Sequence, residues 1–283
     1  MSRQIRSMTP SAENCANFDV LIVGAGFAGM YMLHKCRQLG LSTRVFEVGK
    51  GVGGTWYWNR YPGARCDVES VQYSYQFDTE LEQEWTWSEK YSTQPEILRY
   101  ANHVADRFDL RDNIQFETRV ISAEYSEADK LWVLETDRNE KASSRYCVFA
   151  TGCLSSSNVP QFEGYETFKG LSYHTGRWPH EGVNFSGLRV GVIGTGSSAI
   201  QSIPEIAKEA SQLTVFQRTA NYTIPARNSE LTEDYVSSIK ADYPGLRERA
   251  RNKPAGYDIP LNSQSVCLLY TSPSPRDQRG SRI

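Results

Sequence analysis

The sequence predicts an α/β fold with two βαβ segments, each consisting of a strand, a glycine-rich turn, a helix and a second strand. Three observations predict it. Short, nearly all-apolar runs begin at Phe18 and Leu188 and end in glycine, as strands buried on both faces of a parallel sheet do. Each run continues into residues whose apolar groups recur at helical spacing. The chain has 283 residues, 39% of them hydrophobic, which is enough for the core of one or two domains.

Charge and composition narrow the classes of partner. Charged residues make up 23% of the chain and the formal net charge is −2, so nothing favours nucleic acid or a membrane surface as a partner. No apolar run reaches the length of a transmembrane helix, and residues 1–17 lack the apolar core of a secretory signal. We therefore expect a cytoplasmic protein with no membrane contact.

The first βαβ segment opens with the strand FDVLIVGAG at Phe18. A helix is predicted over residues 28–39, and Gly40 ends it. The next strand, STRVFEVG, carries Glu47 at its end, 23 residues beyond Gly24. Residues 1–17 are polar and aperiodic, so we expect a disordered arm before the first strand.

The first glycine turn, residues 24–29, has the spacing of a dinucleotide-binding loop. Gly24 allows the tight turn, Gly26 allows the backbone to approach a pyrophosphate, and Gly29 allows close packing of helix and strand. The carboxylate of Glu47 accepts hydrogen bonds from a ribose 2′-hydroxyl and repels a 2′-phosphate. This site therefore favours FAD or NAD over NADP. A glycine turn that serves packing alone is the other interpretation.

The aromatic loop, residues 53–67, reads GGTWYWNRYPGARCD. It directly follows the second strand and places four large aromatic residues between Trp56 and Tyr61. Flat aromatic rings suit an isoalloxazine, and Arg65 with Asp67 suits a site where negative charge develops. An ordinary Gly/Pro-rich loop with aromatic residues that fill a core is the alternative.

Between the two βαβ segments the pattern predicts a helix and a sheet of short strands. The stretch PEILRYANHVADRF, residues 95–108, is amphipathic and begins with proline, and His103 in it is interpreted as a surface or packing residue. Alternation predicts an antiparallel meander that returns to the sheet and ends in an Ala-Thr-Gly turn. Its predicted strands are residues 114–120, 121–125, 131–136 and 146–150.

The second βαβ segment starts with the strand LRVGVI and the second glycine turn, residues 194–199. Gly194 and Gly196 take the turn, Ala199 stands at the third position, and the helix continues to Ala210 with an irregularity expected at Pro204. The strand LTVF leads into Arg218 and Thr219, which suit a 2′-phosphate, so this site is predicted to bind NADPH. A solvated surface arginine is the alternative.

Six cysteines show neither a C-x-x-C pair nor a metal-ligand spacing. This argues against a dithiol–disulfide reductase, another class with two such turns, and it predicts no metal site. We expect the cysteines to be reduced and to serve as small apolar residues.

The segment between the βαβ segments carries the pattern F-x-G-x-x-x-H-x-x-x-W-P. The pattern is carried by Phe168, Gly170, His174, Trp178 and Pro179. In the aromatic loop, a second pattern is carried by Gly53, Gly54, Trp56, Tyr61, Pro62, Gly63 and Asp67. With both patterns the sequence resembles the Baeyer-Villiger monooxygenases, and the aromatic loop matches the fingerprint of that family at each of these positions.

The resemblance implies an FAD domain with an inserted NADPH domain and an oxidation that converts a ketone and O2 into an ester or lactone through a C4a-peroxyflavin. It implies that Asp67 contacts an arginine beyond this chain and that His174 helps to hold the linker. Arg65 and Asp67 are the predicted catalytic residues. The predicted FAD residues are Gly24, Gly26, Gly29, Glu47, Gly54, Thr55, Trp56, Asp67 and Tyr73. The predicted NADPH residues are Gly194, Thr195, Gly196, Ser197, Ser198, Gln201, Arg218 and Thr219.

The predicted organisation follows from these motifs. Residues 18–157 form the N-terminal part of the FAD domain, residues 158–187 a linker, and residues 188–266 an incomplete NADPH domain. Residues 267–283 lack periodicity and are expected to be a non-native tail, so the chain is expected to be truncated. Two alternatives stay open: an N- or S-oxygenating flavin monooxygenase, which Trp178-Pro179 and the loop fingerprint disfavour, and an inactive nucleotide-binding fragment.

Overall fold

The chain folds into a mixed α/β structure, seen in a computed structural model that describes residues 15–221, 223, 225–253 and 256–258. The strands are β1 (Cys15–Val23), β2 (Thr43–Phe46), β3 (Ile114–Gln115), β4 (Val120–Ser126), β5 (Leu131–Thr136), β6 (Lys141–Phe149), β7 (Arg189–Ile193) and β8 (Gln212–Phe216). The helices are α1 (Phe27–Gln38), α2 (Thr55–Trp58), α3 (Thr79–Glu84), α4 (Gln94–Arg107), α5 (Ser197–Glu209), α6 (Glu233–Ala241) and α7 (Tyr243–Arg251). The α/β class is confirmed.

The larger sheet has six strands in the order β3-β2-β1-β6-β5-β4. The pairs β3-β2, β2-β1 and β1-β6 are parallel, whereas β6-β5 and β5-β4 are antiparallel. The predicted antiparallel meander exists for β4, β5 and β6, and it joins the same sheet through the long strand β6. Its first predicted strand was wrong, because β3 pairs in parallel with β2 and is not part of the meander. Because β3, β2, β1 and β6 run in the same direction, their carboxyl ends lie at one edge of the sheet, where the first glycine turn follows β1.

Strand β1 forms the centre of the core because both of its faces are covered. Val20 and Ile22 pack with Met30 and Leu33 of α1 on one side. Leu21, 0% exposed, packs with Phe46 and Leu134 on the other side. Burying each such side chain contributes on the order of 2 kcal/mol, so the near-continuous apolar run is what fixes the position of the first βαβ segment.

Some predicted bounds were wrong. Cys15–Asn17 are part of β1 and pair with residues 141–143 of β6, so the disordered arm predicted over 1–17 does not extend to residue 17. Their backbone groups are satisfied by this ladder, a stabilisation that side-chain periodicity does not reveal. Strand β6 begins at Lys141 instead of residue 146, and β3 ends at Gln115 instead of residue 120.

The second βαβ segment forms its own two-stranded parallel sheet, β7-β8, with α5 packed beside it. Its core contains the buried side chains of Trp178, Phe185 and Ile206. Pro204 lies inside α5, and the helix continues through it. The irregularity expected at Pro204 does not end the helix, and Trp178 of the linker becomes part of this segment's core.

The described residues divide into two compact units. The first contains those before Val71 together with Trp87–Glu230, and the second contains Val71–Thr86 together with those after Glu230. Both βαβ segments lie in the first unit, so the predicted domain boundaries at 157 and 188 do not coincide with this division and stay a prediction. In the second unit, the guanidinium of Arg247 pairs with Glu82 at 2.9 Å, and both side chains are buried.

No helix within the described ranges is long and apolar enough to cross a lipid bilayer. The predicted tail, residues 267–283, lies outside the described residues.

Candidate functional site

In the first glycine turn, backbone atoms of neighbouring segments lie in close contact with one another. Gly24 has φ +103°, and a Cβ there would lie 2.6 Å from the carbonyl oxygen of Ala150. A Cβ on Gly29 would overlap the carbonyl oxygen of Gly24. Both glycines are therefore required for the turn itself, since a side chain at either position collides with rigid backbone. Ala150 belongs to the predicted Ala-Thr-Gly turn, which thus lies directly beside Gly24.

Glu47 lies immediately after β2 and is buried, with 4% of its surface exposed. Its Oε2 accepts a hydrogen bond from the backbone N–H of Ala25 at 2.7 Å, and its Oε1 accepts one from the N–H of Gly49 at 2.7 Å. The carboxylate thus joins the first glycine turn to the loop that follows β2. Hydrogen bonds from backbone amides stabilise a charged carboxylate in a buried position.

The helices that follow the two glycine turns begin without a side-chain cap. Gly26 is the N-cap of α1 and Gly196 is the N-cap of α5, and neither helix has an acidic residue in its first turn. By contrast, α3, α6 and α7 are capped by the side chains of Asp78, Thr232 and Asp242. The first amides and the positive end of the dipole in α1 and α5 are consequently available to an anion.

The aromatic loop starts against the first glycine turn. A Cβ on Gly54, which has φ +54°, would lie 2.9 Å from the Cα of Gly26, so the two backbones are in close approach. Thr55 begins the short helix α2, and Trp56 in it is buried. The side chain of Gln94, at the start of α4, donates a hydrogen bond to the backbone oxygen of Trp56.

The end of the aromatic loop is fixed to the segment before α4. Arg65 and Thr93 form an antiparallel β-bridge, and the N–H of Gln94 donates to the oxygen of Ala64 at 2.7 Å. The Arg65 guanidinium lies 3.4 Å from the carboxylate of Glu89, and each side chain is about 30% exposed. Arg65 therefore does not extend freely into solvent.

Glu89 is itself held by the segment that follows β8. The side-chain amide of Asn228 donates to Glu89, and the Asn228 oxygen accepts from the N–H of Tyr91 at 2.9 Å. Neither Glu89 nor Asn228 was predicted as a site residue. An isolated acid and an isolated amide carry no motif, so the sequence offered no signal for them.

Asp67 contacts the second βαβ segment. Its Oδ1 accepts a hydrogen bond from Nε2 of Gln201, at 2.9 Å, and its side chain is exposed. Gln201 Oε1 accepts from the hydroxyl of Tyr61 at 2.9 Å. The aromatic loop therefore contacts Gly26 of the first βαβ segment at one end and α5 of the second βαβ segment at the other.

Tyr61 remains a neutral hydrogen-bond donor at physiological pH. Burial raises the pKa of its hydroxyl, a hydrogen bond with Ser198 opposes this, and the charge of Asp67 adds to the increase. The ring packs against the core that contains Trp178. Ser198, like Ser197, lies in the first turn of α5.

The second glycine turn is open. Gly194 has φ +102°, and a Cβ on Gly194 or on Gly196 would meet nothing within 4 Å. Asn221 donates from its side chain to the backbone oxygen of Thr195 at 2.8 Å and to its hydroxyl at 3.0 Å. Arg218 and Thr219 follow β8 and are exposed. Asn221, which was not predicted as a site residue, thus fixes the conformation of this turn.

The predicted motif of the linker is divided in space. Phe168 is 62% exposed, and its ring lies over Gly170, where a Cβ would be 2.6 Å from the ring. His174 Nδ1 accepts a hydrogen bond from the N–H of Gly176 at 3.1 Å, whereas Trp178 is buried. His174 therefore caps a local turn, and its role in holding the linker stays a prediction.

Of the predicted residues, Tyr73 lies in the second compact unit and all the others lie in the first. Within the first unit, two βαβ segments with uncapped helix N-termini meet one aromatic loop. This arrangement defines a protein of the two-dinucleotide α/β class.

The chain belongs to the pyridine nucleotide-disulphide oxidoreductase family, whose characteristic pattern matches residues 21–245. It is 46% identical over 264 residues to a Baeyer-Villiger monooxygenase of Pseudooceanicola batsensis, an alignment that covers 93% of this chain and 48% of the relative. It is also 46% identical over 237 residues to Phenazine N-monooxygenase PhzNO1 of Lysobacter antibioticus, covering 83% of this chain and 44% of that protein.

Among solved structures, an oxidised steroid monooxygenase bound to NADP has a TM-score of 0.85 and 54% identity, over 93% of this chain and 50% of that one. The resemblance to Baeyer-Villiger monooxygenases predicted from the motifs is confirmed. The chain spans about half the length of the curated relatives that it matches.

Proposed function

We propose that this chain supplies the two nucleotide sites of a flavin-dependent monooxygenase that inserts one oxygen atom of O2 beside a ketone carbonyl, giving an ester or lactone. One observation carries the proposal. The aromatic loop contacts Gly26 at the first glycine turn and, through Asp67, contacts Gln201 on α5. We therefore expect this loop to lie beside both a flavin at the first βαβ segment and a nicotinamide at the second, which have to meet for hydride transfer.

FAD suits the first βαβ segment. The uncapped N-terminus of α1 provides backbone amides for the pyrophosphate, and Glu47 is positioned beside Ala25 to exclude a 2′-phosphate. NADPH suits the second βαβ segment, because α5 is likewise uncapped and the exposed Arg218 and Thr219 follow β8 without a neighbouring carboxylate in sequence.

A bound flavin supplies the redox chemistry, namely hydride uptake from NADPH and reaction with O2. The residues of this chain would orient the flavin and shield it from water. Trp56 is buried within the aromatic loop, which suits a role in shielding the site from water. The exposed carboxylate of Asp67 and the guanidinium of Arg65 provide charges of opposite sign at the loop's end. The ketone substrate, O2 as co-substrate and a cytoplasmic location are parts of this proposal.

Product analysis tests the proposal. The polypeptide that carries this chain is incubated with FAD, NADPH and ¹⁸O₂ and a panel of a cyclic ketone, a tertiary amine and a sulfide. The expected result is a lactone containing one ¹⁸O atom, formed at the expense of NADPH. Formation of N-oxide or sulfoxide with no lactone would contradict it.

Asp67→Ala distinguishes chemistry from cofactor binding in the same assay. We expect the variant to retain FAD, seen in its visible spectrum, and to lose lactone formation, because an exposed carboxylate at the loop's end is removed without disturbing the first glycine turn. The control is Glu69→Gln, which removes the charge of a carboxylate that lies 3.2 Å from the ammonium group of Lys90. Undiminished product from Asp67→Ala would refute the assignment.

A second candidate function is N-oxygenation. The observation that favours it is the 46% identity to a protein named Phenazine N-monooxygenase. The same two nucleotide sites serve this reaction, and the amine in the substrate panel decides between the two candidates.

A further inference from the structure

Gln201 is the residue through which the aromatic loop is attached to α5, and its carboxamide is fully used. Nε2 donates to the backbone oxygen of Arg65 at 3.0 Å and to Oδ1 of Asp67 at 2.9 Å. Oε1 accepts from the Tyr61 hydroxyl at 2.9 Å and from the Arg65 N–H at 3.3 Å. A primary amide has two donor hydrogens and two acceptor lone pairs, so every hydrogen-bonding position is occupied by the loop.

This saturation bears on the predicted role of Gln201 as a contact to NADPH. A nucleotide group can hydrogen-bond to this side chain only by displacing Tyr61, Arg65 or Asp67. Breaking such a half-buried hydrogen bond leaves the partner unsatisfied, at a cost comparable to what the new contact contributes. Gln201 is therefore poorly suited to bind a second partner.

The backbone around the carboxamide is equally constrained. Gly63 has φ +77°, and a Cβ on it would overlap the carbonyl oxygen of Gln201. The loop thus approaches α5 at the backbone itself. Tyr61, on the other side of Gly63, packs against the Trp178 core. Within the part of the chain that the structure describes, the hydrogen bond from Gln201 Nε2 holds the orientation of the exposed Asp67 carboxylate.

We propose that Gln201 is a positioning residue that holds Asp67 and the backbone of Arg65 in place, and that it is not a ligand of the nucleotide. The inference rests on the proposed function, because Asp67 is assigned there as a catalytic residue. It adds a specific physical link: the second βαβ segment sets the geometry of the loop that serves the first.

Two substitutions test the proposal on the whole chain. Gln201→Glu keeps both acceptor contacts, loses both donor contacts and places a second carboxylate beside Asp67, so the two like charges repel at neutral pH. Gln201→Leu removes all four contacts without adding charge. The readouts are amide hydrogen exchange of residues 61–67 and the Kd for NADP+ measured by equilibrium binding.

We expect exchange over residues 61–67 to rise at least tenfold at pH 8 in both variants, while the Kd for NADP+ stays within about twofold of the parent. For Gln201→Glu alone, protection is expected to return as the pH falls and the two carboxyl groups share a proton. The leucine side chain cannot take up a proton, so residues 61–67 of Gln201→Leu are expected to exchange rapidly at every pH.

A reciprocal exchange provides the control for misfolding. In the double variant Gln201→Glu with Asp67→Asn, the new side-chain amide at position 67 donates to the new carboxylate at position 201, so protection is expected to return in part at pH 8. Unchanged protection in both single variants, or a tenfold weaker Kd for NADP+ with protection intact, would overturn the proposal. If the parent chain fails to bind NADP+, the proposed function fails, and the exchange data still decide the role of Gln201.

Discussion

The carboxylate of Glu47 accepts a hydrogen bond of 2.7 Å from the backbone N–H of Ala25, which lies 22 positions earlier in the first glycine turn. The same side chain accepts from Gly49 at 2.7 Å. The residue expected to select the ribose is thus also a structural connection between β2 and the turn after β1. Its side chain is held in place before any nucleotide arrives, which lowers the cost of ordering the site on binding.

Glu47→Gln is expected to destabilise the fold. An amide keeps one acceptor but directs an NH2 group at either Ala25 or Gly49, which leaves a buried N–H unsatisfied, and we expect a loss of about 1–3 kcal/mol. Urea unfolding followed by circular dichroism measures it. The control is Glu124→Gln on the exposed surface of β4, which should change the unfolding midpoint very little. Equal midpoints for the two variants would contradict this reading of Glu47.

The two glycine turns are expected to respond in opposite ways to alanine. Gly29→Ala forces a Cβ into the carbonyl oxygen of Gly24, a rigid backbone atom, and should cost about 3 kcal/mol or more of stability. Gly196 has φ −72°, and a Cβ at this position would meet no other atom, so the fold should tolerate Gly196→Ala. Its methyl group occupies the space that the phosphates need, so binding of NADP+ should fall by at least tenfold. A Gly196→Ala variant that binds NADP+ normally would argue against a nucleotide at the second turn.

Arg218→Ala tests the selection of the 2′-phosphate. Removing a charge-assisted contact should weaken binding of NADP+ by about 1.5–3 kcal/mol and leave binding of NAD+ nearly unchanged. The matched control variant is Arg189→Ala. Arg189 is exposed at the start of β7, whereas the second glycine turn follows the end of that strand. The two dissociation constants are measured by calorimetry. An equal loss of binding free energy for both nucleotides would contradict the assignment of Arg218 to the 2′-phosphate.

His180 is expected to make the chain less stable in mild acid. Its ring lies 5.1 Å from that of Tyr57 and 5.8 Å from that of Trp58. Burial lowers the pKa of His180, the charge of Arg60 lowers it further, and Glu181 opposes both. Because its pKa in the folded chain is below the unfolded value of about 6.5, the unfolded state binds the proton more readily, and stability is lost as the pH falls below about 6.5.

The measurement is the melting temperature at pH 7.5 and pH 5.5. Since His180 is exposed, the extra fall in the parent relative to His180→Gln should be small, on the order of 1–2 °C for a chain of this size. Glutamine has a similar length and does not titrate in this range. A larger fall in the glutamine variant than in the parent would contradict the expected direction.

The first βαβ segment shows how much of the fold the sequence predicts. Apolar runs and glycine spacing predict β1, α1 and β2 to within one or two residues at most ends, because burial on both faces and helical periodicity are local properties. The start of β1 was wrong because Cys15–Asn17 are stabilised by pairing with β6, whose sequence lies more than a hundred residues away. A local sequence pattern does not predict pairing between strands that are so far apart in the chain.

The candidate site shows the same limit. The fingerprint positions predict that this loop belongs to the functional site and that Asp67 ends it. The partner implied for Asp67 is an arginine beyond this chain, and its hydrogen bond with Gln201 was not predicted. Gln201 was predicted from its place beside the second glycine turn, and its carboxamide instead contacts a loop 134 to 140 positions earlier. Asn221, Glu89 and Asn228 act through side-chain hydrogen bonds to residues 24 to 139 positions away in the sequence, so neither composition nor spacing marks them.

Titration calorimetry with FAD and NADP+ tests most directly whether this chain carries two separate dinucleotide sites with different preferences. Each nucleotide is titrated alone and then into protein saturated with the other. The account predicts one equivalent of each, bound at the same time and without displacement, with NADP+ preferred over NAD+ at its site. Competition between FAD and NADP+ for a single site, or binding of neither, would contradict the account.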